Sequence, residues 1–224
     1  MADVAAVIPA FNEAENVAAV VAGVAPLVSA VIVVDDGSGD QTAAAARRAG
    51  ADVVSHQKNL GKGAAVRTGL DRALGGSFTH VLLLDGDRQH RPDEAATLIR
   101  VADETGADLV VGERAFDRRT MPWSRYWANR LGSRALSWFV GVPLRDTQCG
   151  FRVFRTDLLR RMRLHATGYE IETEMLVKTR RLGGRIVRES VSAVYGVSVS
   201  KLRPIRDTTR TCFLAVYYRF LERL

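Results

Sequence analysis

Lysine is scarce in this chain: of its 32 basic residues only Lys58, Lys62, Lys178 and Lys201 are lysine, and the rest are arginine. Cysteine is scarcer still. Cys149 and Cys212 fit no metal or redox spacing and read as reduced thiols of a cytosolic protein. No apolar run approaches the length that a membrane-spanning helix needs, so the expectation is a chain that does not span a bilayer. Asp3, Pro9, Asn12 and Glu13 break up the N-terminal apolar stretch, so a secretory leader is not expected there. Internal repeats and low-complexity linkers are also lacking, and a single domain is expected.

What is present is the balance of a globular protein. The 224 residues are 47% apolar, 25% charged and 7% aromatic. The net charge of +7 is unevenly spread. Residues 1–112 hold 9 Lys and Arg against 15 Asp and Glu, a net of −6, whereas residues 113–224 hold 23 against 10, a net of +13. The acidic half could hold a metal, and the basic half could face phosphate or an anionic membrane. An Arg-rich composition accounts for part of the total, but less readily for the segregation.

The first half alternates strand and helix patterns. Short apolar runs at Val4–Ile8, Ala30–Val34, Asp52–Ser55, Thr79–Leu84 and Asp108–Val111 predict five strands. Helical patterns begin at Asn12 (through Val17, Val20 and Val21) and cover 41–49, 61–74 and 92–104, with Asp40 and Pro92 suited to helix starts. Continuous apolar strands separated by helices imply an α/β fold, a mainly parallel sheet flanked by helices. The second half is less regular. It suggests a helix over Trp123–Phe139, a loop leading into a strand over Asp146–Phe154, and a helix over Tyr169–Leu182. One or two strands follow within Arg185–Val199, then a terminal amphipathic helix over Asp207–Leu224.

In open parallel sheets ligands bind beyond the carboxyl ends of the strands. Four polar clusters fall there: Pro9–Glu13, Asp35–Asp40, Asn59–Gly63 and Asp85–Pro92. Asp85 and Asp87, one residue apart at a strand end, could share a hard divalent cation that keeps positions open for phosphates, although acidic turns are common. Gln89 and His90 extend this cluster. The Asp35–Asp40 carboxylates could accept hydrogen bonds from a nucleobase or ribose, or could serve a glycine turn and a helix cap. Gly61-Lys62-Gly63 opens a helix, and amides there with one lysine suit a diphosphate. The glycine spacing is neither that of a Walker A loop nor that of a dinucleotide fingerprint.

Taken in order, Pro9-Ala10-Phe11-Asn12-Glu13, Val34-Asp35-Asp36-Gly37-Ser38, Asn59-Leu60-Gly61-Lys62-Gly63 and Asp85-Gly86-Asp87-Arg88-Gln89-His90 resemble family 2 glycosyltransferases. Asp146-Thr147-Gln148-Cys149-Gly150-Phe151-Arg152, with Tyr195 through Ser200-Lys201, resembles the branch of dolichyl-phosphate mannose synthase and bacterial polyprenyl-phosphate glycosyltransferases. Phe11 stands where tyrosine is usual, and Arg88 where a small residue is.

The resemblance implies a GT-A fold, with a nucleotide-sugar half (1–112), an acceptor half (113–206) and the terminal helix (207–224). It implies a metal-dependent, inverting transfer of mannose or glucose from a GDP- or UDP-sugar to polyprenyl phosphate. Pro9, Ala10, Asn12, Glu13 and Asp36 would line the donor pocket with Lys62 nearby. Asp85, Asp87 and Gln89 would hold Mg²⁺ or Mn²⁺ and the donor diphosphate. Arg114, Arg125 and Lys201 would position the acceptor phosphate, and Asp146 would orient it. A soluble acceptor is the alternative, in which Asp146 would be a general base.

Two segments suggest a peripheral place at the inner face of the plasma membrane. Trp123, Trp127 and Trp138 interleave with Arg125, Arg130 and Arg134, and the terminal helix carries Phe213, Val216, Tyr217, Phe220 and Leu224 on one stripe. Core packing or a homo-oligomer contact would use the same residues, and a partner membrane protein is compatible with the lipid reading. A nucleic-acid partner is not expected, because no binding motif is present and the acidic sheet edge would repel a phosphate backbone. A nucleotidyltransferase would want a glycine-rich loop after the first strand, where Pro9–Glu13 stands. Cys149 reads as a small packed residue, and His56, His80 and His165 as ordinary loop or core residues. Glu170, Glu172 and Glu174 lie on an expected helix, with a minor role near the site possible.

Overall fold

The computed structural model describes residues 2–114, 133, 134, 137 and 141–192. Of the expected helix at Trp123–Phe139 only Ser133, Arg134 and Ser137 are described, and they are helical; the expected helix at Asp207–Leu224, any strand beyond residue 192, and Arg125 and Lys201 lie outside the described residues.

Among the described residues, seven strands form one sheet in the order β3-β2-β1-β4-β6-β5-β7. They are β1 (Val4–Ala10), β2 (Ala30–Asp35), β3 (Asp52–Ser55), β4 (His80–Leu83), β5 (Leu109–Arg114), β6 (Arg152–Arg155) and β7 (Ile186–Val191). All neighbours are parallel except β6, which runs antiparallel to both β4 and β5. The carboxyl ends of six strands and the amino end of β6 therefore share one edge. The expected mainly parallel sheet is present, and the reversal at β6 is the part that apolar patterning did not show.

Both faces are covered, which is why the strand sequences are apolar throughout rather than alternating. On one face, Val4, Ala6 and Ile8 of β1 meet α1 (Val17–Val24), α2 (Thr42–Arg48) and α4 (Ala95–Thr105). On the other, Ala5 and Val7 meet α3 (Lys62–Leu74), α5 (Thr156–Arg160) and α6 (Ile171–Arg181). In α1, Val17, Val20, Val21 and Val24 recur at helical spacing and are all buried. Each such valine contributes about 1.5 kcal/mol of burial.

Helix starts differ from the sequence expectation for local reasons. α1 begins at Val17 rather than near Asn12, because Asn12 is held in a left-handed conformation (φ 53°). Pro92–Glu94 forms a single 3₁₀ turn before α4. The short helix α5, directly after β6, was not anticipated.

Candidate active site

The first three edge loops are tied to one another. Asn12 receives a bond from the Gly39 amide on its Oδ1 (2.9 Å), while its own amide donates to Ser38 Oγ (2.9 Å). A short polar side chain that bonds locally is what makes a left-handed non-glycine residue tolerable. The buried Glu13 donates its amide to Thr42 Oγ1 at 2.8 Å, and Pro9 and Ala10 close β1 beside it. Asp36 is almost wholly buried: Oδ1 accepts the Leu60 amide (2.9 Å) and meets His56 Nδ1 (2.7 Å), and Oδ2 accepts the Gly61 amide (2.8 Å). His56 continues to Thr68 Oγ1 on α3 (3.0 Å). Asp36 thus fastens the loop after β3 to the loop after β2.

The helix start at Gly61–Gly63 also differs from expectation. The amides of Gly63 and Ala64 both donate to the carbonyl of Thr167, at 2.8 and 3.3 Å. With the Gly61 amide on Asp36, these donors are unavailable to a diphosphate as the chain stands. The glycines have another purpose. A Cβ at Gly61 would lie 2.4 Å from the Thr167 carbonyl oxygen, and one at Gly63 would lie 2.5 Å from that of Ala166. They let the segment before α6 close onto α3. Glu174 anchors that segment by accepting the amides of His165 and Ala166, and its charge is matched by Lys178 Nζ at 2.9 Å.

Lys62 remains as the cation of this turn. Its Nζ lies 2.6 Å from Asp85 Oδ1 and 2.7 Å from Glu172 Oε1. Burial works against the ammonium, but these two carboxylates outweigh it and keep Lys62 charged. Burial likewise opposes the Asp85 carboxylate, and Lys62 more than compensates, leaving its pKa below the ordinary value. A narrow pocket beside them is lined by Pro9, Lys62, Asp85, Gly150, Arg152 and Glu172.

Asp87 behaves oppositely. Burial first, then the neighbouring Asp85 charge, push its pKa up to about 6, while its Oδ1 accepts the Gln89 amide at 3.0 Å. Crowded carboxylates at a strand end are what a divalent cation relieves. Among the described residues no three His, Cys, Asp or Glu side chains are grouped to hold a metal ion. Asp85 and Asp87 nevertheless fit a hard cation that takes its remaining ligands from phosphate and water, as Mg²⁺ commonly does. His90 does not extend the cluster. It is buried against Phe151 (ring centroids 5.2 Å apart), and burial lowers its pKa to about 4.

The loop before β6 meets the pair from across the sheet. A Cβ at Gly150 would stand 2.7 Å from Asp85 Oδ2, so this backbone packs directly on the carboxylate. Arg114, at the end of β5, donates Nε and Nη2 to the two oxygens of the fully buried Asp146, at 2.6 and 3.2 Å. Burial disfavours the guanidinium, but Asp146 overrides this and raises its pKa. Arg152 is also fully buried. It donates to the carbonyls of Cys149 (2.8 Å), Thr147 (2.7 Å) and Glu172 (2.7 Å), fixing the loop and the first turn of α6 together. Cys149 is packed as expected, with burial foremost pushing its thiol up to about 12.

One edge therefore gathers Pro9, Ala10, Asn12, Glu13, Asp36, Lys62, Asp85, Asp87, Gln89, Arg114 and Asp146. Glu172 and Arg152 are the residues that sequence reasoning did not assign. The acidic run on α6 hinted at the first, but only the fold shows which of its three glutamates reaches Lys62.

Residues 5–163 match the family model described as glycosyl transferase family 2. The glycosyltransferase AglJ of Haloferax volcanii is 35% identical over 94% of this chain and 70% of its own length. The undecaprenyl-phosphate mannosyltransferase of Micrococcus luteus is 31% identical over 84% of this chain and 82% of its own. Among solved structures, glucosyl-3-phosphoglycerate synthase from Mycobacterium tuberculosis superposes with a TM-score of 0.71 at 25% identity, covering 97% of this chain and 80% of that one. The same enzyme has been crystallised with Mn²⁺, uridine diphosphate and glucosyl-3-phosphoglycerate. Its fold and its sequence together make this chain a glycosyltransferase of family 2, built on the GT-A fold.

Proposed function

We propose that this enzyme transfers a hexose from a GDP- or UDP-sugar to polyprenyl phosphate in a metal-dependent, inverting reaction. The observation that carries this reading is Arg114, held at the acceptor side of the edge by bidentate pairing with buried Asp146. A planar, oriented guanidinium suits a phosphate, and a phosphate acceptor is already ionised near neutral pH. A sugar hydroxyl would need a general base. Asp146 is a poor one, being buried and committed through both oxygens to Arg114. Relatives named for polyprenol- and undecaprenyl-phosphate products support the lipid acceptor.

In this reading an acceptor phosphate oxygen attacks the anomeric carbon from the face opposite the diphosphate. The bond from that carbon to the diphosphate oxygen breaks, and the nucleoside diphosphate leaves with the electron pair. Asp85 and Asp87, with Gln89 beside them, would hold Mg²⁺ or Mn²⁺, which neutralises charge on the leaving diphosphate. Pro9, Ala10, Asn12 and Glu13 shape the nucleoside side, and Asp36 keeps that wall in place. Arg125 and Lys201 would complete the acceptor side, with residues 1–112 as the nucleotide-sugar half and 113–206 as the acceptor half. No described helix is long and apolar enough to cross a membrane, and the tryptophan-arginine segment is the proposed contact with an anionic inner membrane surface.

The soluble-acceptor reading has one observation in its favour, the superposition on a synthase whose product is glucosyl-3-phosphoglycerate. The deciding experiment offers radiolabelled GDP-mannose, UDP-glucose and UDP-GlcNAc with Mn²⁺, with and without a short polyprenyl phosphate. Label passing into the organic phase with one donor supports the proposal. Donor hydrolysis indifferent to the lipid overturns it in favour of a soluble acceptor.

A further inference from the structure

Lys62 sits on the carboxylate that would serve a metal. Its ammonium is 2.6 Å from Asp85 Oδ1, on the face toward α6. An oxygen that accepts an ammonium at this distance presents less of its charge to a second cation, and two positive charges on one carboxylate repel. The pairing is not incidental, because Lys62 and Asp85 are both largely enclosed, with side chains 17% and 25% exposed.

Glu172 offers the ammonium somewhere else to go. Its Oε1 already meets Lys62 at 2.7 Å, and its Oε2 is buried with no hydrogen-bond partner. Glu172 is only 6% exposed, and its backbone carbonyl is pinned by Arg152. A buried carboxylate oxygen left without a donor is a costly arrangement. An ammonium has three donors, so Lys62 can leave Asp85 and still engage both oxygens of Glu172. The tilt needed is small, since one of these contacts already exists.

We propose that Lys62 is a displaceable internal counter-cation: it occupies Asp85 in the resting protein and withdraws onto Glu172 when a divalent cation is taken up. Glu172 is then a positioning residue, acting through Lys62. The proposal rests on the reading of Asp85 as a metal ligand. Its consequence is that the nucleotide-free protein binds metal weakly. The donor's diphosphate supplies the extra negative charge, so cation and donor are taken up together.

The test is a Mn²⁺ titration of the full chain followed by electron paramagnetic resonance, without nucleotide and then with GDP or UDP. Without nucleotide, Lys62→Met is expected to bind Mn²⁺ about tenfold or more tightly than the parent, despite losing transfer activity. Glu172→Gln is expected to bind it more weakly than the parent, because Lys62 loses its second site. Adding Asp85→Asn to Lys62→Met is expected to erase the gain. An unchanged or weakened affinity in Lys62→Met overturns the proposal, as does a gain that survives Asp85→Asn. Lys62→Met strands two buried carboxylates; if it does not fold, Lys62→Met/Glu172→Gln, which removes a charge of each sign, bears the same expectation of tighter binding. A parent that binds no Mn²⁺ even with nucleotide, and transfers sugar without it, overturns the metal-dependent reading itself and the proposal with it.

Discussion

Arg114 and Asp146 form a two-point pair, Nε to Oδ2 at 2.6 Å and Nη2 to Oδ1 at 3.2 Å, in which the carboxylate is wholly buried and the guanidinium is 19% exposed. The exposed partner is the one able to meet a ligand, and the buried one sets its angle. Asp146→Asn is expected to lower kcat/KM for the proposed lipid acceptor about a hundredfold, mainly through misorientation of Arg114. The pH dependence of kcat should keep its shape, since no base is lost. A collapsed acidic limb would instead mark Asp146 as a proton acceptor.

The same pair bears on stability. Asp146→Ala leaves an enclosed guanidinium without its counter-charge, which costs about 3 kcal/mol. Urea unfolding of the variant against the parent measures it directly, and an effect below about 1 kcal/mol, the worth of an ordinary surface pair, would show that water replaces the carboxylate.

Metal removal is expected to abolish transfer. Dialysis against a chelator should leave the fold intact by circular dichroism, and activity should return on adding Mn²⁺ or Mg²⁺. Asp87→Asn should cut kcat by about a hundredfold or more and resist rescue at high Mn²⁺. Full activity in chelator would remove the role assigned to Asp85 and Asp87.

Gly61 and Gly63 test the closure of the segment before α6 onto α3. Alanine at either would thrust a Cβ to within 2.4 or 2.5 Å of a carbonyl oxygen, and Gly61 also has a φ of +96°. Each substitution should destabilise by about 2 kcal/mol, read as a shifted urea midpoint. Unchanged stability would mean that the segment can retreat, and that the glycines serve a ligand after all.

His80 gives a pH prediction away from the site. Burial foremost lowers its pKa below the ordinary histidine value of 6.5. The unfolded chain therefore binds the proton more readily than the native one. The stability tied to neutral His80 is complete above pH 6.5 and is lost as pH falls through the depressed native value. His80→Gln should flatten the decline in unfolding free energy between neutral and mildly acidic pH. A slope identical to the parent's would assign the decline to other groups.

Membrane-surface docking is checked by flotation with anionic and neutral liposomes. Co-flotation with the anionic vesicles at low salt, lost at high salt, is expected of an arginine-bearing interfacial segment. No co-flotation at low salt would sink it.

Much of this was legible in the sequence, for identifiable reasons. A strand buried on both faces has to be apolar along its length, so Val31 to Val34 and Val81 to Leu84 announce themselves, and with them the loops that follow. The carboxylates of Asp85 and Asp87 at a strand end were equally visible. Less visible was how polar atoms would be shared. Nothing local says that Asp36 bonds the Leu60 and Gly61 amides, or that Thr167 takes the amides of Gly63 and Ala64, because those partners are distant in the chain. The same holds for Glu172. Three glutamates on one short helix look alike until the packing sends Glu174 to Lys178 and Glu172 to Lys62.

The reversed strand β6 has a practical side. Because it runs against its neighbours, the stretch entering it reaches the edge at which the other six strands end. Residues 141–151 are thus a cassette bounded by a left-handed glycine, Gly141, and the buried anchor Arg152. Gly150 within it packs on Asp85, and Asp146 within it pairs with Arg114, so any exchange of this cassette between relatives has to keep Asp146 and Gly150 together with Arg114 and Arg152.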